Sequence, residues 1–326
     1  MTSDRPDPSP ASAATPPPAI ELRGVTKRFG RKPVLNGVDL VVPAGQTFAF
    51  LGRNGMGKTT TIRTLLGLLA ADAGTVRVLG LDPHKQPLEV RRRVGYVAED
   101  QQMFAWMRVD QLTSFVAPFY PTWDAVRAKQ LANQFELPAK TRVKHLSKGQ
   151  GVRLALLLAL AHRPELVILD DPTLGLDPIM RKDFLRDVVT YLQGERVTVF
   201  FSSHLLYEVE PVADAVAILD RGRVLKHAAT DDLRQQVKRL VVPADAAAAL
   251  AKLPGVLDVT VNGRQAAAVV ADVDAALPAA RAAGLDPAVV DLNLDEIFEA
   301  YVIGRPGDPA GRKERADADP PLERVA

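Results

Sequence analysis

From residue 20 to about residue 226, short apolar, β-rich runs alternate with stretches whose apolar residues recur every three or four positions. Runs at 46–51, 166–170 and 197–202 are interleaved with helical patterns at 58–70 and 178–192. This alternation predicts an α/β domain on a largely parallel central sheet. Two earlier runs, 20–26 and 38–42, are joined through turn-like Gly30 and Asn36-Gly37 and suit an antiparallel sheet beside that core. Between about 100 and 145 no strand pattern occurs, while 109–116 and 125–135 carry helical spacing, so a helical insertion is expected. Beyond residue 239 the chain turns alanine-rich. Strand candidates at 241–242, 256–261 and 267–270, two helices and an amphipathic segment at 292–301 predict a small α+β appendage. The expected organisation is a main domain over 19–238, with a helical subdomain at about 100–160. A small domain follows over 239–303, with disordered tails at 1–18 and 304–326.

Composition narrows the partners rather than the fold. The 326 residues are 47% apolar and 25% charged, enough for one large domain and a smaller one. A formal charge of +2 supplies no bulk attraction to nucleic acid or to an acidic membrane. There is no cysteine, which removes disulfides, thiolate metal sites and cysteine nucleophiles together and fits a cytoplasmic location. No apolar run approaches the ~20 residues needed to cross a bilayer. Residues 1–18 lack the apolar centre of a secretion signal.

The chemistry starts at Gly52-Arg53-Asn54-Gly55-Met56-Gly57-Lys58-Thr59, which follows an apolar run and opens a helical pattern. That is the phosphate-loop arrangement in its proper context. Its glycines (Gly52, Gly55, Gly57) let backbone N–H groups face phosphate oxygens, and the helix N-terminus, from Thr59 and Thr60, adds partial positive charge. Lys58 reaches the outer phosphates and Thr59 ligates Mg²⁺. Alone this motif specifies an ATP or GTP site. Leu166-Val167-Ile168-Leu169-Asp170 reads as a buried strand ending in a carboxylate; alone such an Asp could equally cap a helix, but paired with the upstream loop Asp170 is expected to hold Mg²⁺ through water.

Leu146-Ser147-Lys148-Gly149-Gln150 resembles the signature of ABC ATPases, and other motifs follow in that family's order. They are Asp171-Pro172-Thr173 beside Asp170, Gly175-Leu176-Asp177-Pro178, and Ser203-His204 after a β run. The resemblance covers about residues 20–226. With Phe119-Tyr120-Pro121-Thr122-Trp123-Asp124 and the appendage, its style is similar to ATPases of ABC-2-type exporters. It implies an ABC ATPase fold: a phosphate-loop core, an antiparallel β subdomain and a helical subdomain. It also implies two ATPase chains facing head to tail, each ATP held between one phosphate loop and the other chain's Ser147, Lys148, Gly149 and Gln150. His204 corresponds to the switch histidine on the γ-phosphate. Phe29 stands where the family stacks an aromatic on adenine, though a core position is equally compatible with the sequence. Asn54 keeps its place in the loop.

The departures are specific. Asp171 replaces the Glu that acts on the attacking water; its shorter reach predicts slow but real hydrolysis, the rival being a site that only binds ATP. Glu99 stands where a Mg²⁺-touching Gln is usual, with Gln101 as the other candidate. Lys148 replaces the first Gly of the signature. The aromatic-rich segment 103–123 reads either as packing of the helical insertion or as a groove for a membrane subunit.

With one copy of each motif, the chain is expected to be an ATPase subunit with ATP and Mg²⁺. It would pair as a homodimer or heterodimer and drive separately encoded transmembrane permease subunits, in export, from the inner face of the cell membrane. Nucleic acid is not expected. The rival classes are a soluble ribosome- or DNA-associated ABC ATPase, against which stand the single ATPase half and the lack of long coiled coils, and an ATP-binding regulatory module.

Overall fold

The computed structural model describes residues 17–174, 176–177, 180–181, 184–185, 188, 197–203 and 210–304. His204, Gly175, Pro178, the outer tails at 1–16 and 305–326 and most of the 178–192 helical pattern lie outside these residues.

A six-stranded sheet lies at the centre. Strands β1 (Ile20–Phe29), β2 (Lys32–Val42), β3 (Thr47–Leu51), β4 (Ala73–Val78), β5 (Val94–Val97), β6 (Leu166–Asp170), β7 (Thr198–Ser203), β8 (Ala215–Asp220) and β9 (Arg223–Ala229) belong to the main body. The central order is β5-β6-β7-β3-β8-β9, parallel except where β9 returns antiparallel on β8. Strands β6 and β7 are buried throughout, as their continuous apolar runs require of a sheet covered on both faces.

Successive residues point to opposite faces, so each strand feeds two cores. Ala49, Leu51, Leu169 and Phe201 enter one, while Phe48, Phe50, Ile168 and Phe200 enter the other. The first core is capped by α3 (Val109–Val116), α4 (Ala125–Gln134) and α5 (Lys148–Leu160). The second is capped by α1 (Lys58–Leu65), α2 (Pro87–Arg93) and the antiparallel sheet β2-β1-β4.

Several boundaries differ from expectation for local reasons. Gly30 does form the β1–β2 turn, but Asn36-Gly37 lies inside β2, where pairing jumps from Val25↔Val38 to Thr26↔Asn36. Gly37, at φ 75°, is the extra residue of a bulge rather than a turn. Helix α1 stops at Leu65 instead of running to residue 70. Gly67 adopts φ 67°, and Leu68 N–H donates to Arg63 O, closing the helix with a left-handed cap. Strand β4 and the short helix α2 gave no period long enough to read.

The carboxyl-terminal part carries its own antiparallel sheet, β11-β12-β10-β13, from β10 (Lys238–Pro243), β11 (Val256–Asn262), β12 (Gln265–Val270) and β13 (Ala288–Asp291). Leu240, Val242, Val259, Ala268 and Ala276 form its separate core. Helix Leu294–Val302 instead points Leu294, Ile297 and Ala300 into the first core of the main body. Its entry is fixed by a capping box between Asn293 and Glu296.

Candidate functional site

Parallel register brings the chemical residues to one edge. Leu51 pairs with Ser203, Asp170 with Ser202 and Val97 with Leu169, so the loops after β3, β5 and β6 leave the sheet side by side. Ligands of open α/β sheets collect at this carboxyl edge.

The loop after β3 is held by close packing. Gly57 has φ 110°, and a Cβ there would meet Leu35 Cδ2 at 2.8 Å. At Gly52 a Cβ would lie 2.8 Å from the Leu219 carbonyl. Only glycine serves at either place. Lys58 is buried, and its Nζ donates to Gly52 O at 2.8 Å while lying 3.4 Å from Asp171 Oδ2. The cation is thus folded back over the loop. Thr59 and Thr60 follow in the first turn of α1.

Asp170 and Asp171 are both buried. Ser202 Oγ donates to Asp170 Oδ1 at 2.7 Å, while Asp170 Oδ2 is buried without a hydrogen-bond partner. Burial pushes the Asp170 carboxyl above its ordinary range, with contributions from the Asp171 and Glu99 charges, against the pull of the Ser202 hydroxyl and, more weakly, of the Thr59 hydroxyl. A carboxylate in this condition wants a cation. Thr59, Glu99, Gln101 and Asp170 line one cleft of about 630 Å³ together with Arg63 and Tyr96. Both candidates for the loop after β5 therefore reach the same cleft, with the Gln101 amide held by Ala98 O at 2.8 Å. Burial, reinforced by Asp170, pushes the Tyr96 phenol up to about 12, so it stays protonated as a donor. The oxygen-rich lining fits a hard cation such as Mg²⁺, which takes few protein ligands besides phosphates and water.

Ser147 is the N-cap of α5. Its Oγ accepts from Gln150 N–H at 3.2 Å, and Gln150 Oε1 accepts from Ser147 N–H at 3.0 Å. The signature is thus a capping box that presents a helix N-terminus, with Lys148 and Gly149 as its first residues. None of its residues lines the cleft at Thr59 and Asp170.

Phe29 is 52% exposed, with Lys27 Nζ 5.9 Å from its ring centre, which rules out the core alternative. The aromatic segment divides. Trp123 packs against the first core and Tyr120 stacks on buried His162, whereas Phe104, Trp106, Phe115 and Phe119 are exposed and touch ring to ring. Sequence reading missed Ser202, Tyr96 and Arg63; of these only Ser202 left a trace, a polar residue closing an apolar strand.

Comparison with known proteins agrees with this arrangement. The ABC transporter family pattern matches residues 35–174. The chain is 34% identical over 301 residues to the daunorubicin resistance ATP-binding protein DrrA3 of Streptomyces coeruleorubidus, covering 86% of this chain and 94% of that protein. It is 33% identical over 222 residues to the bacitracin transport ATP-binding protein BcrA of Bacillus licheniformis, covering 68% and 72% respectively. A solved ATP-binding subunit of an ABC transporter superposes with a TM-score of 0.61 at 27% identity, covering 67% of this chain and 92% of that one. No helix among the described residues is long and apolar enough to cross a membrane. The chain belongs to the ATP-binding subunits of ABC transporters, the ATP-hydrolysing motors of membrane transport.

Proposed function

We propose that this subunit hydrolyses Mg·ATP slowly, at a site completed by a second ATPase chain, and thereby drives export through separate permease subunits. The observation that carries the reading is the convergence of Lys58, Thr59, Asp170 and Asp171 at one sheet edge, with Asp170 Oδ2 left buried and unpartnered.

In this reading Gly52, Asn54, Gly55, Gly57 and Lys58 hold the phosphates, Thr60 supports them from the first turn of α1, and Phe29 stacks on adenine. Thr59 and Asp170 would hold Mg²⁺, with Glu99 as a further oxygen donor; the ion supplies neutralisation of phosphate charge. Asp171 orients the attacking water, and His204 secures the γ-phosphate. Ser147 and the N-terminus of α5, with Lys148, Gly149 and Gln150, offer donors to the γ-phosphate of the opposing chain's ATP. The exposed cluster Phe104, Trp106, Phe115 and Phe119 supplies the apolar surface for a permease helix, which would hold the subunit on the inner face of the membrane. Export follows from the likeness to resistance and antibiotic-transport ATPases.

The slow rate rests on reach. Asp171 carries one methylene fewer than the Glu usual at this place, and a displacement of ~1 Å can cost roughly 10²-fold. Asp171→Glu is expected to raise kcat by roughly tenfold or more, measured as phosphate release at saturating Mg·ATP. An unchanged or lower kcat would refute the reach argument.

A further inference from the structure

Ser202 occupies a costly place for a hydroxyl. It lies inside β7, fully buried, between Phe201 and Ser203 and in register with Asp170 on β6. A hydroxyl withdrawn from water there is tolerated only when its hydrogen bonds are replaced. Both replacements go to the adjacent acids. Ser202 Oγ donates its proton to Asp170 Oδ1 at 2.7 Å and accepts the Asp171 N–H at 3.1 Å. The same Asp171 N–H also lies 3.1 Å from the Ser202 carbonyl oxygen.

We propose that Ser202 is a positioning residue of the ATPase site, setting the Asp170 carboxylate and the Asp171 backbone through one hydroxyl. The inference rests on the roles proposed above for those two acids. Two geometric consequences support it. A hydroxyl has one proton, and here it is committed to Oδ1, so Oδ2 is the Asp170 oxygen left to present to a cation. Asp171 has φ 41°, in the left-handed region that non-glycine residues seldom enter. A backbone held there needs support from its surroundings, and the Ser202 oxygens receive its N–H. Asp171 is the residue whose short side chain leaves least margin for misplacement. A partner that orients a metal ligand from behind is commonly worth 10–100-fold in metal affinity or activity.

The test uses the full chain with Ser202→Ala and Ser202→Cys, the latter retaining side-chain volume with a weak donor. Binding of AMP-PNP is measured by calorimetry in EDTA and across a Mg²⁺ titration, and kcat and KM by phosphate release. Both variants are expected to bind AMP-PNP in EDTA as the wild type does, because Lys58 and the loop are untouched. Their Mg²⁺ half-saturation is expected to rise roughly 10–100-fold. At saturating Mg²⁺, kcat should fall by a similar factor with KM for ATP little changed. Wild-type Mg²⁺ dependence and kcat in both variants would overturn the inference. Asp170→Asn separates the two levels. If it too keeps wild-type Mg²⁺ dependence, the metal reading of Asp170 falls and the inference with it. If it loses that dependence while the Ser202 variants keep it, the inference alone falls.

Discussion

Asp170 and Asp171 are neighbours in sequence that meet different surroundings. Asp170 faces the cleft with one oxygen bonded and one bare, whereas Asp171 turns toward Lys58 from a left-handed backbone. The motif announced both acids, Asp170 as a carboxylate closing a buried strand beside a phosphate loop and Asp171 through the resemblance to the ABC ATPase pattern. It could not announce Ser202, whose importance comes from strand register across 32 residues of chain. His162 is a comparable case away from the site. Its ring is fully buried and stacks on Tyr120 at 4.0 Å, and its nitrogens find only the backbone of Leu158 and Val94, in contacts short of good hydrogen-bond geometry. Burial lowers its pKa from 6.5 to about 4. The unfolded chain therefore takes up a proton below pH 6.5 that the folded chain refuses until about pH 4. Stability from this group is complete above pH 6.5 and declines as pH falls toward 4. Between pH 7 and pH 5 the loss is about 2 kcal/mol. His162→Phe keeps a stacked ring without the titratable nitrogens, and urea unfolding at the two pH values should show that decrement removed. An equal decrement in the variant would refute this role.

At the scale of elements, the signature combines two functions in one turn. Ser147 and Gln150 cap α5 reciprocally, and the same turn presents the free N–H groups that the proposed dimer needs. Ser147→Ala is expected to cost about 1 kcal/mol of stability in thermal unfolding. ATP-driven dimerisation, followed by light scattering, should weaken beyond that cost because the phosphate contact is lost as well. Dimerisation at wild-type strength would leave Ser147 with capping alone. The long elements of the core were legible because their apolar periods are strong and their ends carry glycine or capping signals. Strand β4 buries only its end, Val76 and Val78, behind exposed Ala73, Gly74 and Thr75, and all four residues of β13 are exposed, so neither leaves a period long enough to read. They exist through pairing with β1 and β10. The aromatic segment resisted a single reading because it does two things, Trp123 and Tyr120 packing inward while Phe104 and Trp106 stay outside.

In the whole molecule, the appendage is joined to the motor by more than a linker. Its sheet has a separate core, yet helix Leu294–Val302 buries Leu294, Ile297 and Ala300 among the residues that cover the central sheet. Glu210, beyond β7, accepts from Leu294 N–H at 3.4 Å and pairs with Arg234 at 3.4 Å. Ile297→Asp, a charge placed in the shared core, is therefore expected to lower the melting of the whole chain in a single transition, by several kcal/mol. Melting of the appendage alone, with the ATPase body unchanged, would contradict this. An amphipathic period at 292–301 showed that a helix was present; which core received it depends on tertiary packing that no local pattern encodes. The central claim is hydrolysis at Asp171. Its most direct test is phosphate release by the purified chain with Mg·ATP, compared with Asp171→Asn and Lys58→Ala. The account predicts slow, Mg²⁺-dependent turnover that falls roughly 10²-fold or more in both variants. Wild-type turnover no faster than that of Asp171→Asn would contradict it and leave a subunit that only binds ATP.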